Sequence, residues 1–109
     1  MNKIIAVDFD GTLCVNEWPG IGAPNERMIK YLREQQRQGA KLILWTCRTK
    51  EQLVDAIDWC EEHDLHFNAI NQNVQESIDL FGEDTRKIFA SEYIDDSNTY
   101  FLNLPYKGE

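Results

Sequence analysis

Residues 3–12 read KIIAVDFDGT, and the fold is decided in this stretch. Ile4, Ile5, Ala6 and Val7 form an apolar, largely β-branched run without polar alternation, which is how a strand buried on both faces reads. Its end carries Asp8-Phe9-Asp10-Gly11-Thr12, two carboxylates at alternate positions followed by a turn former. In extended chain, side chains two positions apart point to the same face, so both carboxylates start on one side, and Gly11 turns the chain beyond them.

Outward from this strand the pattern alternates. Residues 13–24 (LCVNEWPGIGAP) are rich in Gly and Pro and read as a flap loop. Asn25 suits an N-cap, Met28, Ile29 and Leu32 have helical spacing, and Gly39 is a stop signal. Residues 41–45 (KLILW) repeat the buried-strand run. Thr49 and Gln52 have capping-box spacing ahead of Leu53, Ala56, Ile57 and Cys60, one apolar helix face. Residues 66–70 (HFNAI) predict a third strand. Asn73 and Glu76 repeat the capping-box spacing before Val74, Ile78 and Phe81, and that helix ends at Gly82. Residues 88–94 (IFASEYI) predict a fourth strand, ending in Asp95-Asp96, and 103–109 read as a loose tail. Trp45 and Trp59 read as core. The strand–helix alternation predicts an α/β fold of right-handed crossovers around a parallel sheet, in one domain over 1–109.

The balance of 11 Lys+Arg against 19 Asp+Glu gives a net charge of −8 in 109 residues, with 42% hydrophobic residues. A disordered chain is excluded by that composition, and the acidity argues against nucleic acid as a partner bound through its phosphates. No apolar run approaches the roughly 18 residues of a membrane span, so no membrane partner is expected. The N-terminal apolar run is too short for a signal-peptide core of roughly 7–15 residues. Cys14, Cys47 and Cys60 are therefore expected to be reduced thiols in a cytoplasmic protein.

In parallel sheets ligands bind at the carboxyl ends of the strands. Those ends hold Asp8 and Asp10, Thr46-Cys47-Arg48, Asn71-Gln72-Asn73, and Asp95-Asp96, with Arg86 and Lys87 shortly before the last. Clustered carboxylates repel, and a divalent cation offsets this. Hard oxygen ligands with almost no histidine suit Mg²⁺ rather than Zn²⁺. Lys and Thr suit a phosphate, and an ionised Asp is a competent nucleophile toward phosphorus.

These residues resemble, in order, the four motifs of the haloacid dehalogenase (HAD) superfamily: DFDGT at 8–12, Thr46, Lys87 and Asp95-Asp96, each beside an apolar strand. The longer pattern LWTCRT…WC…NQN…TRKIFASEYIDD is similar to very small bacterial HAD-type phosphatases. The resemblance implies a three-layer, Rossmann-like core with a mainly parallel sheet of about four to five strands. It implies a phosphomonoester hydrolase in which Asp8 is the nucleophile and Asp10 the general acid, then base. Mg²⁺ would be held by Asp8, the Asp10 main-chain carbonyl and Asp95, with Asp96 acting directly or through water. Thr46 and Lys87 would hold the phosphoryl group, assisted by backbone N–H groups near Phe9 and Cys47. Neither 13–24 nor 47–86 has room for an independent cap, so the implied enzyme is capless, its site open, or covered by its flap or by a second copy in a homo-oligomer.

Alternatives stand beside these roles. Arg48 is a candidate contact for a second anionic group, or a surface residue near a helix start. Asn71 and Asn73 are candidate pocket residues, with capping a sufficient task for Asn73. Trp18 is a candidate lid, or flap packing. The substrate class is a small phosphosugar or nucleotide, or a phosphorylated macromolecular end. A phosphoryl receiver domain also uses acidic residues, Thr and Lys, but its phosphoacceptor Asp belongs on the third strand, where this chain has Asn71. A non-catalytic phospho-ligand-binding or regulatory module on the same fold is the remaining alternative.

Overall fold

The computed structural model of the chain describes residues 3–95, so Asp96 and the 103–109 tail lie outside the described residues. Six strands and three helices follow in the order β1 (Ile4–Val7), β2 (Cys14–Glu17), β3 (Gly20–Pro24), α1 (Glu26–Arg37), β4 (Lys41–Leu44), α2 (Lys50–Glu62), β5 (Ala69–Ile70), α3 (Gln75–Phe81) and β6 (Glu92–Ile94). Four of the strands form a parallel sheet in the order β5-β4-β1-β6.

The two all-apolar runs became the sheet's centre. Ile4 through Val7 pair residue for residue with Lys41 through Leu44, and every residue of β1 is buried. Alternate side chains divide between the two faces. Ile5, Val7, Leu42 and Leu44 join Met28, Ile29 and Leu32 of α1 and Ala56 and Cys60 of α2 in one cluster. Ile4, Ala6 and Ile43 join Ala69, Val74 and Ile88 in a second. Burying each such aliphatic side chain contributes about 1.5–3 kcal/mol.

The outer strands are shorter than their sequences suggested, because polar side chains take over the ladder. Asn68 precedes β5 and lends its Oδ1 to the Leu42 N–H at 2.9 Å, so 66–68 lie outside the strand. Ser91 does the same before β6, accepting from the Ile4 N–H at 3.1 Å, while the Tyr93 hydroxyl donates to the Ile88 carbonyl. Trp45, expected in the core, lies just past β4 and is 39% exposed. Trp59 is half-buried against the first cluster and meets Phe9 edge-to-face at 5.4 Å.

Helix α1 is capped as expected, with Asn25 Oδ1 accepting from the Met28 N–H at 3.2 Å and Gly39 following the last turn at φ +98°. The two expected capping boxes do not form. Thr49 stands at the N-cap of α2 without a side-chain cap bond, and the N-cap of α3 is Val74. Residues 14–24 are an antiparallel β2–β3 hairpin instead of a loop. Gly22 makes it close, since a Cβ there would lie 2.3 Å from the Val15 carbonyl oxygen. Among the described residues no helix is long and apolar enough to cross a membrane.

Candidate active site at the carboxyl edge of the sheet

The strand order sets where a ligand belongs. From β1 the chain moves outward through β4 to β5, then returns to add β6 on the other side of β1. The direction of winding reverses between β1 and β6, and ligands in open α/β sheets bind at the carboxyl ends of the strands flanking such a reversal. Val7 pairs with Ile94, and the Asp8 N–H donates to the Ile94 carbonyl at 2.8 Å, so the register carries Asp8 alongside Asp95. Adjacent strands are about 4.8 Å apart. The ladder thus delivers two half-buried carboxylates side by side.

On the other flank of β1, the Trp45 N–H donates to the Val7 carbonyl at 2.9 Å and carries Thr46 to the same edge. Asn71, at φ +55°, fixes this turn by accepting from the Thr46 N–H at 2.8 Å while its own N–H donates to the Leu44 carbonyl. Asn71 therefore positions Thr46. The Thr46 hydroxyl accepts from the Arg48 N–H at 3.1 Å, which orients it and leaves its proton to donate.

Arg48 departs from its sequence reading on both counts. It is neither a surface residue nor open to an anionic ligand, being 1% exposed. Nε and Nη2 bind Asp10 Oδ2 and Oδ1, each at 2.8 Å, in a bidentate pair. Nη2 also donates to the Gly20 carbonyl at 2.7 Å, and Nη1 donates to the carbonyls of Pro19 and Gln52 at 3.2 and 3.3 Å. The five N–H donors of a guanidinium are thus all engaged. The Phe9 and Trp18 rings lie 5.0 and 5.1 Å from its carbon. Asp10 raises the Arg48 pKa above its ordinary value chiefly through these hydrogen bonds. Trp18, the candidate lid, remains 56% exposed on the outer side of this stack.

Both carboxylate oxygens of Asp10 are bound to Arg48, and the residue carries a further oxygen on its main-chain carbonyl. Among the described residues no group of three or more His, Cys, Asp or Glu side chains is gathered as a metal site.

Asn73 is buried, but as neither a cap nor a pocket wall. Its Nδ2 donates to Asp84 Oδ1 at 2.8 Å and to both oxygens of Thr85 at 3.2 Å, and its Oδ1 accepts from the Phe89 N–H at 2.7 Å. It thereby ties residues 84–89, and with them Arg86 and Lys87, to the chain leaving the carboxyl end of β5. Both cations are exposed. A polar residue three positions past a strand gave the only sequence signal for this brace. Cys47 is exposed beside Thr46, whereas Cys14 is buried, its thiol pKa pushed up by desolvation and then by the Asp10 charge.

A solved structure of a conserved protein coded by a locus of Bacteroides thetaiotaomicron shares this architecture. It is 37% identical, covers 92% of this chain and 80% of its own, and superposes with a TM-score of 0.78. The chain belongs to that protein's family. No family model matches the chain, and no curated protein does. Kinship and fold follow from the likeness, and any function rests on the site itself.

Proposed function

We propose that the chain is a Mg²⁺-dependent phosphomonoester hydrolase of the HAD type, a three-layer capless core working through an aspartyl-phosphate on Asp8. The observation that carries this reading is the β1–β6 register, which carries Asp8 alongside Asp95 where the winding reverses, with Thr46 delivered to the same edge by β4. The donor set fits the cation. Two carboxylates and a main-chain carbonyl are hard oxygens, and Mg²⁺ typically takes one or two protein carboxylates and fills its remaining positions with water and substrate phosphate. Bound there by Asp8, Asp95 and the Asp10 carbonyl, it would offset phosphoryl charge so that an anionic nucleophile can approach.

The chain's own residues supply the rest. The Asp8 carboxylate oxygen forms a bond to phosphorus as the ester oxygen leaves, and Asp10 gives that oxygen its proton. Asp10 then takes a proton from water, whose oxygen attacks the phosphorus, releasing inorganic phosphate and restoring Asp8. Thr46 donates its hydroxyl proton to a phosphoryl oxygen and Lys87 supplies positive charge, with the backbone N–H groups near Phe9 and Cys47 as further donors. The substrate is a phosphosugar, a nucleotide or a phosphorylated macromolecular end.

The test is phosphate release from a panel of phosphomonoesters, with and without Mg²⁺. Release that needs Mg²⁺ and falls by at least about three orders of magnitude in Asp8→Asn, the scale of losing a nucleophile, is the expected result. Activity retained in that variant would remove Asp8 from the mechanism. No release from any ester by folded, Mg²⁺-loaded protein would favour a phospho-ligand-binding module.

A further inference from the structure

Arg48 is the meeting point of three segments. Two of its donors reach the hairpin tip at Pro19 and Gly20, one reaches the first turn of α2 at Gln52, and Nε and Nη2 hold both oxygens of Asp10. The Trp18 ring from the same tip closes the outer side, and Phe9, the residue between the two aspartates, closes the inner side. Nη2 is shared between Asp10 at 2.8 Å and Gly20 at 2.7 Å, so the carboxylate and the hairpin are fastened through one nitrogen. A planar fork cannot serve all these acceptors unless hairpin, guanidinium and carboxylate are each in place.

We propose that Arg48 is a positioning residue that couples the docking of the β2–β3 hairpin to the placement of the Asp10 carboxylate. The coupling rests on the hydrolase reading for its catalytic meaning and on the contacts alone for its structural meaning. Lifting the hairpin strips Arg48 of its Pro19 and Gly20 acceptors and of the Trp18 face, which frees the guanidinium and loosens Asp10. Moving Asp10 leaves a buried cation short of two bonds, which loosens the hairpin. Such coupling is reciprocal by thermodynamic necessity. The Asp10 carboxylate is therefore held in register only while the hairpin is down. Arg48 acts through Asp10 and has no donor left for substrate.

Two variants test this by two readouts. Arg48→Lys keeps the charge and loses the fork, and Asp10→Asn keeps the shape but sets an amide N–H against the guanidinium. In both, hydrogen exchange of the hairpin amides over 16–21 should quicken about tenfold or more relative to the Leu42 and Leu44 amides, tenfold being about 1.4 kcal/mol of lost protection. In Arg48→Lys, kcat should fall by tenfold to a hundredfold, part of the roughly 10²–10⁴ that a positioned general acid contributes, with KM within about twofold of wild type. Hairpin exchange unchanged in both variants would overturn the coupling, and so would a raised KM with unchanged kcat, which marks a substrate contact. A wild-type protein that hydrolyses no ester defeats the hydrolase reading alone, because the exchange readout still decides whether Asp10 and the hairpin are coupled.

Discussion

Arg48 and Lys87 stand in segments on opposite sides of β1, and the chain treats the two cations in opposite ways. Arg48 leaves β4 and turns inward, 1% exposed, with every donor engaged by protein oxygens. Lys87 precedes β6 and stays exposed, while the loop that carries it is braced from beneath by Asn73. A buried, saturated guanidinium is built for organising its neighbours, since another anion would find no donor. An exposed ammonium on a braced loop keeps its charge for something that arrives from outside. The difference teaches that positive charge near a carboxylate edge is not one role. The largest effect on turnover is expected at Asp8, between the two flanks, as set out above, and the stability effects below sort the flanks themselves.

The buried flank should be sensitive to loss of its charge. Arg48→Met keeps the stem and removes the guanidinium, leaving the Asp10 carboxylate and the Gly20 and Pro19 carbonyls without their donor. Removing one partner of a buried pair costs about 3–5 kcal/mol, and Asp10, with a side chain 19% exposed, recovers some hydration, so a loss near the lower end is expected. Urea unfolding at neutral pH checks it. A change below about 1 kcal/mol would mean that the pair contributes no more than a surface salt bridge, and the contrast with Lys87 would disappear.

On the other flank the vulnerable residue is the brace, not the cation. Asn73→Ala removes bonds to Asp84, Thr85 and Phe89 at once and leaves the Phe89 N–H without its acceptor. Each unsatisfied buried group costs about 1–3 kcal/mol, so a destabilisation of about 2 kcal/mol is expected, with faster hydrogen exchange confined first to 84–89. If exchange in the hairpin quickened equally, the two flanks would be one cooperative unit and the comparison would need redrawing.

What could be read from the sequence follows the same division. Ile4–Val7 and Leu42–Leu44 announced themselves because strands buried on both faces have no polar alternation, and Asp8, Thr46 and Asp95 followed as the first polar residues past strand ends. The hairpin was not legible. Of β2 only Cys14 is buried, so the segment has no apolar period, and its turn-rich composition resembles a loop. The shortened β5 and β6 depend on Asn68 and Ser91 replacing ladder bonds, a competition that β-propensity does not register. Asn73 satisfied a capping box in spacing, yet its side chain found better partners eleven to sixteen residues away. The Arg48–Asp10 pair spans 38 residues, and only the completed β1–β4 pairing brings its halves together.

Lys87 gives the smallest stability effect and the sharpest division. Its side chain is exposed, so Lys87→Ala should change the unfolding free energy by no more than about 0.5 kcal/mol, the usual range for a surface substitution away from special features. Its effect should fall on the ligand instead. A charge-assisted contact to a phosphoryl oxygen is worth about 1.5 kcal/mol, so the inhibition constant of inorganic phosphate should rise roughly tenfold. Arg86→Ala is the matched control, because both cations are exposed on the braced loop. If Arg86→Ala weakens phosphate inhibition and Lys87→Ala does not, the phosphate-binding role moves back by one residue and the contrast with Arg48 survives. If Lys87→Ala instead unfolds the protein as readily as Asn73→Ala, the ammonium is part of the brace. Both flanks would then hold structural cations, and the carboxyl edge would lack the positive charge that a phosphate requires.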